Sequence, residues 1–268
     1  MNSISTIGLD LAKNVFQVHG IDRAGRVVVT RQLRRAQVLE FFRKLSPCLV
    51  GMEACATSHH WAREIGALGH DVRLMPASYV KAYVKRSKTD AADAAAICEA
   101  VTRPSMRFVA AKSVDQQSAL MLHRTRDLLV RQRTMLVNAL RGHLAEFGIV
   151  AATGLPKVKD LIAAVAAESE VRLGNVAREA LTALVRQLES LQQQIGALER
   201  TIMARHRANL DSLRLASIPG VGPIIASAIV ATVTDPKAFK SGRDLAAWIG
   251  LVPRQNSSGG KEKSGGIS

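Results

Sequence analysis

Between Leu181 and Ile202 the apolar residues fall at Leu181, Leu184, Leu188, Leu191, Ile195, Leu198 and Ile202, at steps alternating between three and four. That spacing holds one face of an α-helix through three heptads, and so narrow a stripe must lie against another helix. The leucines are a packing seam and carry no chemistry. A second long helix is predicted from about Asp115 to Phe147, with Arg124, Arg126, Arg131, Arg133 and Arg141 set along it against Asp127 and Glu146. The seam can close between these two helices or against another protomer, and the sequence leaves both open. Residues 112–211 are accordingly read as a long helical, coiled-coil middle region.

The residues before it follow a different rhythm. Ile4–Asp10 and Val15–His19 read as one strand or two, and Arg26–Leu33 as another after the turn at Asp22-Arg-Ala-Gly25. A short helix over Gln37–Leu45 leads to a buried strand, Cys48–Glu53. Next come a helix from about His60 to Leu68, ending at Gly69, and a strand over Asp71–Met75, stopped by Pro76. Strands alternating with helices imply a layered α/β domain over residues 1–111. The last region, 212–268, is mainly α. It holds the Ser217-Ile-Pro-Gly-Val-Gly-Pro223 turn, a helix, a second helix from about Ser241 to Ile249, and a Gly/Ser/Lys-rich ending that reads as a mobile loop.

The 268-residue chain has a formal charge of +15, an excess that draws polyanions and releases their counterions, so nucleic acid is the expected partner. With 47% hydrophobic residues, wholesale disorder is excluded. Cys48, Cys55 and Cys98 contain no C-x-x-C pair and point to reduced thiols in a cytosolic protein. Leu215–Thr234 is uncharged, but the proline and glycines in its first half leave only Ile224–Thr234 to form helix. That is too short to cross a bilayer, so no membrane partner is expected and the helix is read as buried.

Four acids carry the chemistry. Asp10 interrupts the apolar strand Ile7-Gly-Leu-Asp-Leu-Ala-Lys13, and Glu53 ends the apolar strand Val50-Gly-Met-Glu. Asp90 and Asp93 lie in the alanine-rich Lys88-Thr-Asp-Ala-Ala-Asp-Ala-Ala-Ala-Ile97, where a spacing of three puts both on one helix face. Each alone has an ordinary explanation: Asp10 could end a strand, and Asp90 could cap the helix with Asp93 favoured by its dipole. Together, acids at adjacent strand ends facing a helix are costly unless a cation lies between them. Oxygen donors of this kind suit Mg²⁺ or Mn²⁺, and two such ions can clamp the attacking and leaving oxygens of a phosphodiester.

The motifs I-G-L-D-L-A-K-N, M-E-A-C and K-T-D-A-A-D-A, in this order, resemble the ribonuclease H-like (RuvC-like) DEDD domain of transposases of insertion-sequence family 110. The segment S-I-P-G-V-G-P…F-K-S-G-R-D-L-A-A-W-I-G-L-V-P-R-Q-N-S-S-G-G-K is similar to the second, transposase-specific domain of that family. The H-H-W after Glu53 resembles the subgroup named after insertion sequence 1111. The resemblance spans nearly the whole chain. It implies a DNA transposase or recombinase in which Asp10, Glu53, Asp90 and Asp93 hold Mg²⁺ and Ser258, followed by Gly259, is the nucleophile. Ser257 and Ser264 are the lesser choices.

The resemblance further implies a structured non-coding guide RNA from the element itself, and a homo-oligomer, dimer or tetramer. Lys261 and Lys263 would hold phosphate, as would Arg124, Arg126, Arg131 and Arg133 on the long helix. Gly220 and Gly222 would present backbone N–H groups in a helix-hairpin-helix-like turn. Two other readings compete. One is a junction-resolving metal nuclease in which water attacks. The other is a truncated, non-catalytic nucleic-acid-binding copy, since family members continue well past the S-K-x-G that begins here at Ser268.

Overall fold

The structure, a computed structural model, describes residues 3–85, 89–150, 152, 154, 157–167 and 172–267, with the side chains of Arg254 and Ile267 set aside. Lys88 of the K-T-D-A-A-D motif and the terminal Ser268 therefore lie outside the described residues. The chain divides into two compact units, residues 1–113 with 233–268, and residues 114–232.

The first unit is built on a five-stranded mixed sheet, in agreement with the ribonuclease H-like fold that the motifs imply. Strands β1 (Thr6–Asp10), β2 (Val15–Ile21) and β3 (Val27–Arg34) form an antiparallel meander. β4 (Leu49–Glu53) and β5 (Asp71–Met75) run parallel to β1, giving the order β3-β2-β1-β4-β5. The stretch read as one strand or two is thus two. Side chains alternate across a strand, so Ile7, Leu9, Val50 and Met52 face one side. There they pack with Phe42 of α1 (Val38–Arg43) and Trp61 of α2 (Ser58–Gly66) in the main core. The other side receives α4 (Asp90–Ala100), whose Ala96, Ile97 and Ala100 join Leu49, Met75 and Val80 in a second cluster. Val80 belongs to α3 (Ala77–Val80), which the sequence reading missed. β1 and β4 are buried between two helical layers, and this explains their continuous apolar runs.

In the second unit, α5 (Val114–Ala145) and α7 (Asn175–Arg207) run antiparallel, tied by Arg126–Glu199 at 2.6 Å and Arg205–Asp115 at 2.6 Å. The α7 seam is filled from within the same chain. Leu181, Val185 and Leu188 pack against Val137, Leu140 and Leu144 of α5 and against Val158, Leu161 and Val165 of α6 (Val158–Ala166). At the opposite end α8 (Leu210–Leu215) and α9 (Pro223–Thr232) join the pair. The stretch read as a buried helix is only half-buried: Ala226, Ser227 and Ala231 are covered, while Ile225 is exposed. No helix among the described residues is long and apolar enough to cross a membrane.

After α10 (Gly242–Trp248) the chain does not end in a loose loop. It forms a β-hairpin of β6 (Pro253–Ser258) and β7 (Lys261–Ile267). The correction has a local cause: Gly259 and Gly260 both take positive φ, 57° and 76°, which is the two-residue turn that matches the twist of paired strands.

Candidate functional site

Asp10 and Glu53 are brought together by register. β1 and β4 are parallel with Gly8 opposite Gly51 and Leu9 opposite Met52, so the two acids follow side by side at the strand ends. Each lies two residues after its glycine and so faces the same side, toward α4. The glycines make that approach possible. A Cβ added at Gly8 would lie 2.1 Å from the Ala94 carbonyl oxygen and 2.4 Å from the Cys98 nitrogen; one at Gly51 would lie 2.7 Å from Cβ of Val101. The helix therefore rests in a trough of two paired glycines, touching the sheet with its backbone. Sequence reasoning missed this role, although G-x-D and G-x-E at the two strands signal it.

α4 starts beside the carboxylates. Thr89 is its N-cap, in extended conformation, with Oγ1 accepting the Ala92 N–H at 3.2 Å. This overturns the capping explanation of Asp90. Asp90 is the first helical residue and exposed, and Asp93 is half-buried one turn on. Asp10 is half-buried. Burial first, then the charges of Asp93 and Asp90, hold its carboxyl above the usual range, against a weaker opposing hydrogen bond from the Leu11 N–H. The acids are close enough to repel one another, yet among the described residues no group of three or more His, Cys, Asp or Glu side chains is drawn together as a closed ligand shell. The donor set nevertheless fits a hard divalent cation. All its ligands are oxygens, and its mutual repulsion is what a cation relieves.

In the nearby H-H-W segment His60 is exposed, whereas Trp61 and His59 are held within the first unit. Trp61 is buried and makes an edge contact with Phe16 at 5.0 Å, under the Arg35 guanidinium. His59 accepts the Lys112 N–H at 3.2 Å, and Arg63 donates to the Lys112 carbonyl.

The hairpin sorts its polar residues by face. Ser258 pairs with Lys261 and Asn256 with Lys263 on one side; Ser257 pairs with Glu262 and Gln255 with Ser264 on the other. Ser258 thus closes the turn on the lysine face, and Ser257 points to the opposite one beside a carboxylate. The hairpin strands pair only with each other among the described residues.

The predicted basic stripe on α5 divides. Arg124 is exposed, and Arg131 is exposed and paired with Asp127 at 3.0 Å. Arg126 is engaged with Glu199, and Arg133 turns inward with its Nε shielded from solvent. Between α8 and α9, Gly220 adopts φ +85° and the Gly222 carbonyl accepts the Ala226 N–H. A Cβ at either glycine would meet nothing within 4 Å, so the turn's backbone is open to approach.

Comparison with known proteins agrees with these motifs. A family model described as "Transposase IS116/IS110/IS902 family" matches residues 212–268, and a transposase model of the IS110 DEDD type matches residues 7–149. The chain is 51% identical, over 99% of its length and 79% of the relative, to a probable family 20 transposase of Pseudomonas aeruginosa. It is 42% identical over its full length to the transposase for insertion sequence element IS1111A of Coxiella burnetii, of which it spans 74%. It is also 41% identical to the transposase for insertion sequence element IS1328 of Yersinia enterocolitica, of which it spans 79%.

Proposed function

Because this chain belongs to the IS116/IS110/IS902 family of transposases, we propose that it cuts and rejoins DNA through Ser258, with Asp10, Glu53, Asp90 and Asp93 as the metal-holding quartet. The observation that carries this reading is the paired-glycine register, which aligns Asp10 with Glu53 beneath the acids of α4. Mg²⁺ or Mn²⁺ bound there would neutralise charge on the phosphate oxygens and favour the ionised hydroxyl. Ser258 Oγ gives up its proton and attacks phosphorus. An Oγ–P bond forms, a P–O bond to a sugar breaks, and the sugar oxygen leaves as a hydroxyl. The serine–DNA phosphodiester retains the bond energy, so a second attack by a sugar hydroxyl restores the strand without ATP.

Ser258 is favoured over Ser257 by its face, since Lys261 and Lys263 stand beside it and can hold the flanking phosphates, while Glu262 beside Ser257 repels them. Gly220 and Gly222, with the exposed Arg124 and Arg131, offer further backbone contacts. A net charge of +15 with only 4% aromatic residues suits phosphate binding more than base reading, which supports sequence choice by a structured guide RNA.

The test is adduct trapping with element-end DNA, Mg²⁺ and the element's RNA. Ser258→Ala is expected to abolish covalent protein–DNA adducts while DNA binding persists, and Ser257→Ala is expected to retain them. Adducts that persist in Ser258→Ala, or free nicked ends made at the parent rate, would assign the attack to another group or to water.

A further inference from the structure

One polar side chain beside the acids has no part in the chemistry described so far. Gln17 stands directly opposite Asp10 in the antiparallel pairing of β2 with β1, and residues so paired share a face of the sheet. Its neighbours Phe16 and Val18 belong to the main core, so Gln17 is turned the other way, toward α4, which touches both strands. Glu53, Asp10, Gln17 and Gln32 thus form one row across β4, β1, β2 and β3. Gln32 at the outer end of the row is exposed, whereas Gln17 is only 5% exposed.

A buried carboxamide is costly unless its N–H and C=O groups are answered, yet the Gln17 side chain makes no hydrogen bond with another described residue. Asp10 has the matching deficit. Among the described residues its carboxylate draws only on the Leu11 N–H, and the acids around it, Glu53, Asp90 and Asp93, have nothing to donate when ionised. Directly opposed residues have Cβ atoms about 5 Å apart, within reach of a glutamine side chain. We infer that Gln17 is the positioning residue of Asp10: its amide N–H donates to the carboxylate oxygen turned away from the cation and so fixes that carboxylate for metal binding. The inference rests on the four-acid metal reading proposed above and is independent of which serine attacks. Carboxylates that ligate metals are themselves held by outer hydrogen-bond donors, and losing such a partner lowers metal affinity about 10–100-fold. A neutral amide suits this task. It orients Asp10 without adding a fifth negative charge to the four, and without supplying a positive charge that would compete with the cation. Direct ligation by the Gln17 carbonyl is not needed, since Mg²⁺ sites use few protein oxygens and fill the remaining positions with water and phosphate.

The experiment is a Mn²⁺ titration of the full chain without nucleic acid, read by electron paramagnetic resonance, beside urea unfolding without metal. Gln17→Leu removes the amide at similar volume. It is expected to bind Mn²⁺ about 10–100-fold more weakly, while its unfolding matches or exceeds the parent's because an unanswered buried amide is gone. Gln32→Leu, at the exposed end of the same row, is expected to bind as the parent does. Gln17→Glu separates orienting from ligating. A carboxylate cannot donate, so affinity is expected to fall; tighter binding than the parent would overturn the positioning role and make position 17 a ligand. Parent-like affinity in Gln17→Leu would overturn this inference alone. Affinity lost only in step with stability would reduce Gln17 to packing. A parent that takes up no Mn²⁺ would overturn the four-acid metal reading, and this inference with it.

Discussion

Replacing Gly8 by alanine tests the geometry on which the acidic site depends. The new Cβ would stand 2.1 Å from the Ala94 carbonyl oxygen and 2.4 Å from the Cys98 nitrogen, where heavy atoms ordinarily stay about 3.5 Å apart. α4 must therefore retreat by roughly 1 Å or more, since packed interiors have no slack to absorb it. Overpacking costs about 1–3 kcal/mol. The upper end applies, because both obstacles are backbone atoms that no rotamer change removes. The unfolding transition of this unit should then drop by on the order of 10 °C. The same retreat carries Asp90 and Asp93 away from Asp10, and misplacement by about 1 Å costs on the order of a hundredfold in rate. Urea unfolding gives the first quantity; adduct formation below the transition gives the second. Gly51→Ala should be milder, about 1–2 kcal/mol, since it meets Val101 at the far end of α4 at 2.7 Å. A Gly8→Ala protein within about 0.5 kcal/mol of the parent, with unchanged adduct rate, would refute the close helix–strand packing.

Other consequences are independent of the acids. Burial, and secondarily the Arg126 guanidinium, holds His123 below the ordinary imidazole value, and His123 sits 3.1 Å from Ser227 Oγ. A lowered folded value means the unfolded chain takes up the proton first. The contribution is thus present above about pH 6.5 and lost as pH falls through the folded value. Unfolding free energy measured by urea titration should decline on acidification across that window, and less steeply in His123→Gln. Burial also pushes the Cys48 and Cys98 thiols up to about 11, whereas Cys55 is exposed. A thiol reagent near pH 8 should accordingly modify Cys55 rapidly in the native protein, and all three cysteines only after denaturation.

Much of the first unit was legible because its signals are local. Asp71–Met75 stands between Gly69 and Pro76 and forms the strand expected of it. The acids were visible as charges inside apolar runs. The glycine trough was not read, since a glycine in a strand has many explanations until register pairs it with another. The hairpin is hidden for a different reason: both of its faces are polar, so it shows no apolar alternation, and Gly259-Gly260 reads as looseness in the sequence although it is a turn. α6 and α8 were missed because each is short and its helicity follows from packing on α5, α7 or α9 more than from its own sequence.

The pairing of β1 with β4 also bears on when the site can exist. Gly8 and Gly51 meet across the whole of the intervening chain, which holds β2, β3 and α1. α4 docks from still further along the chain, so the site depends on contacts of long sequence separation, which close late and open with the whole unit. A nascent, clipped or locally unfolded chain holds its four carboxylates apart. If the chain cuts DNA as proposed, that capacity is tied to completed folding.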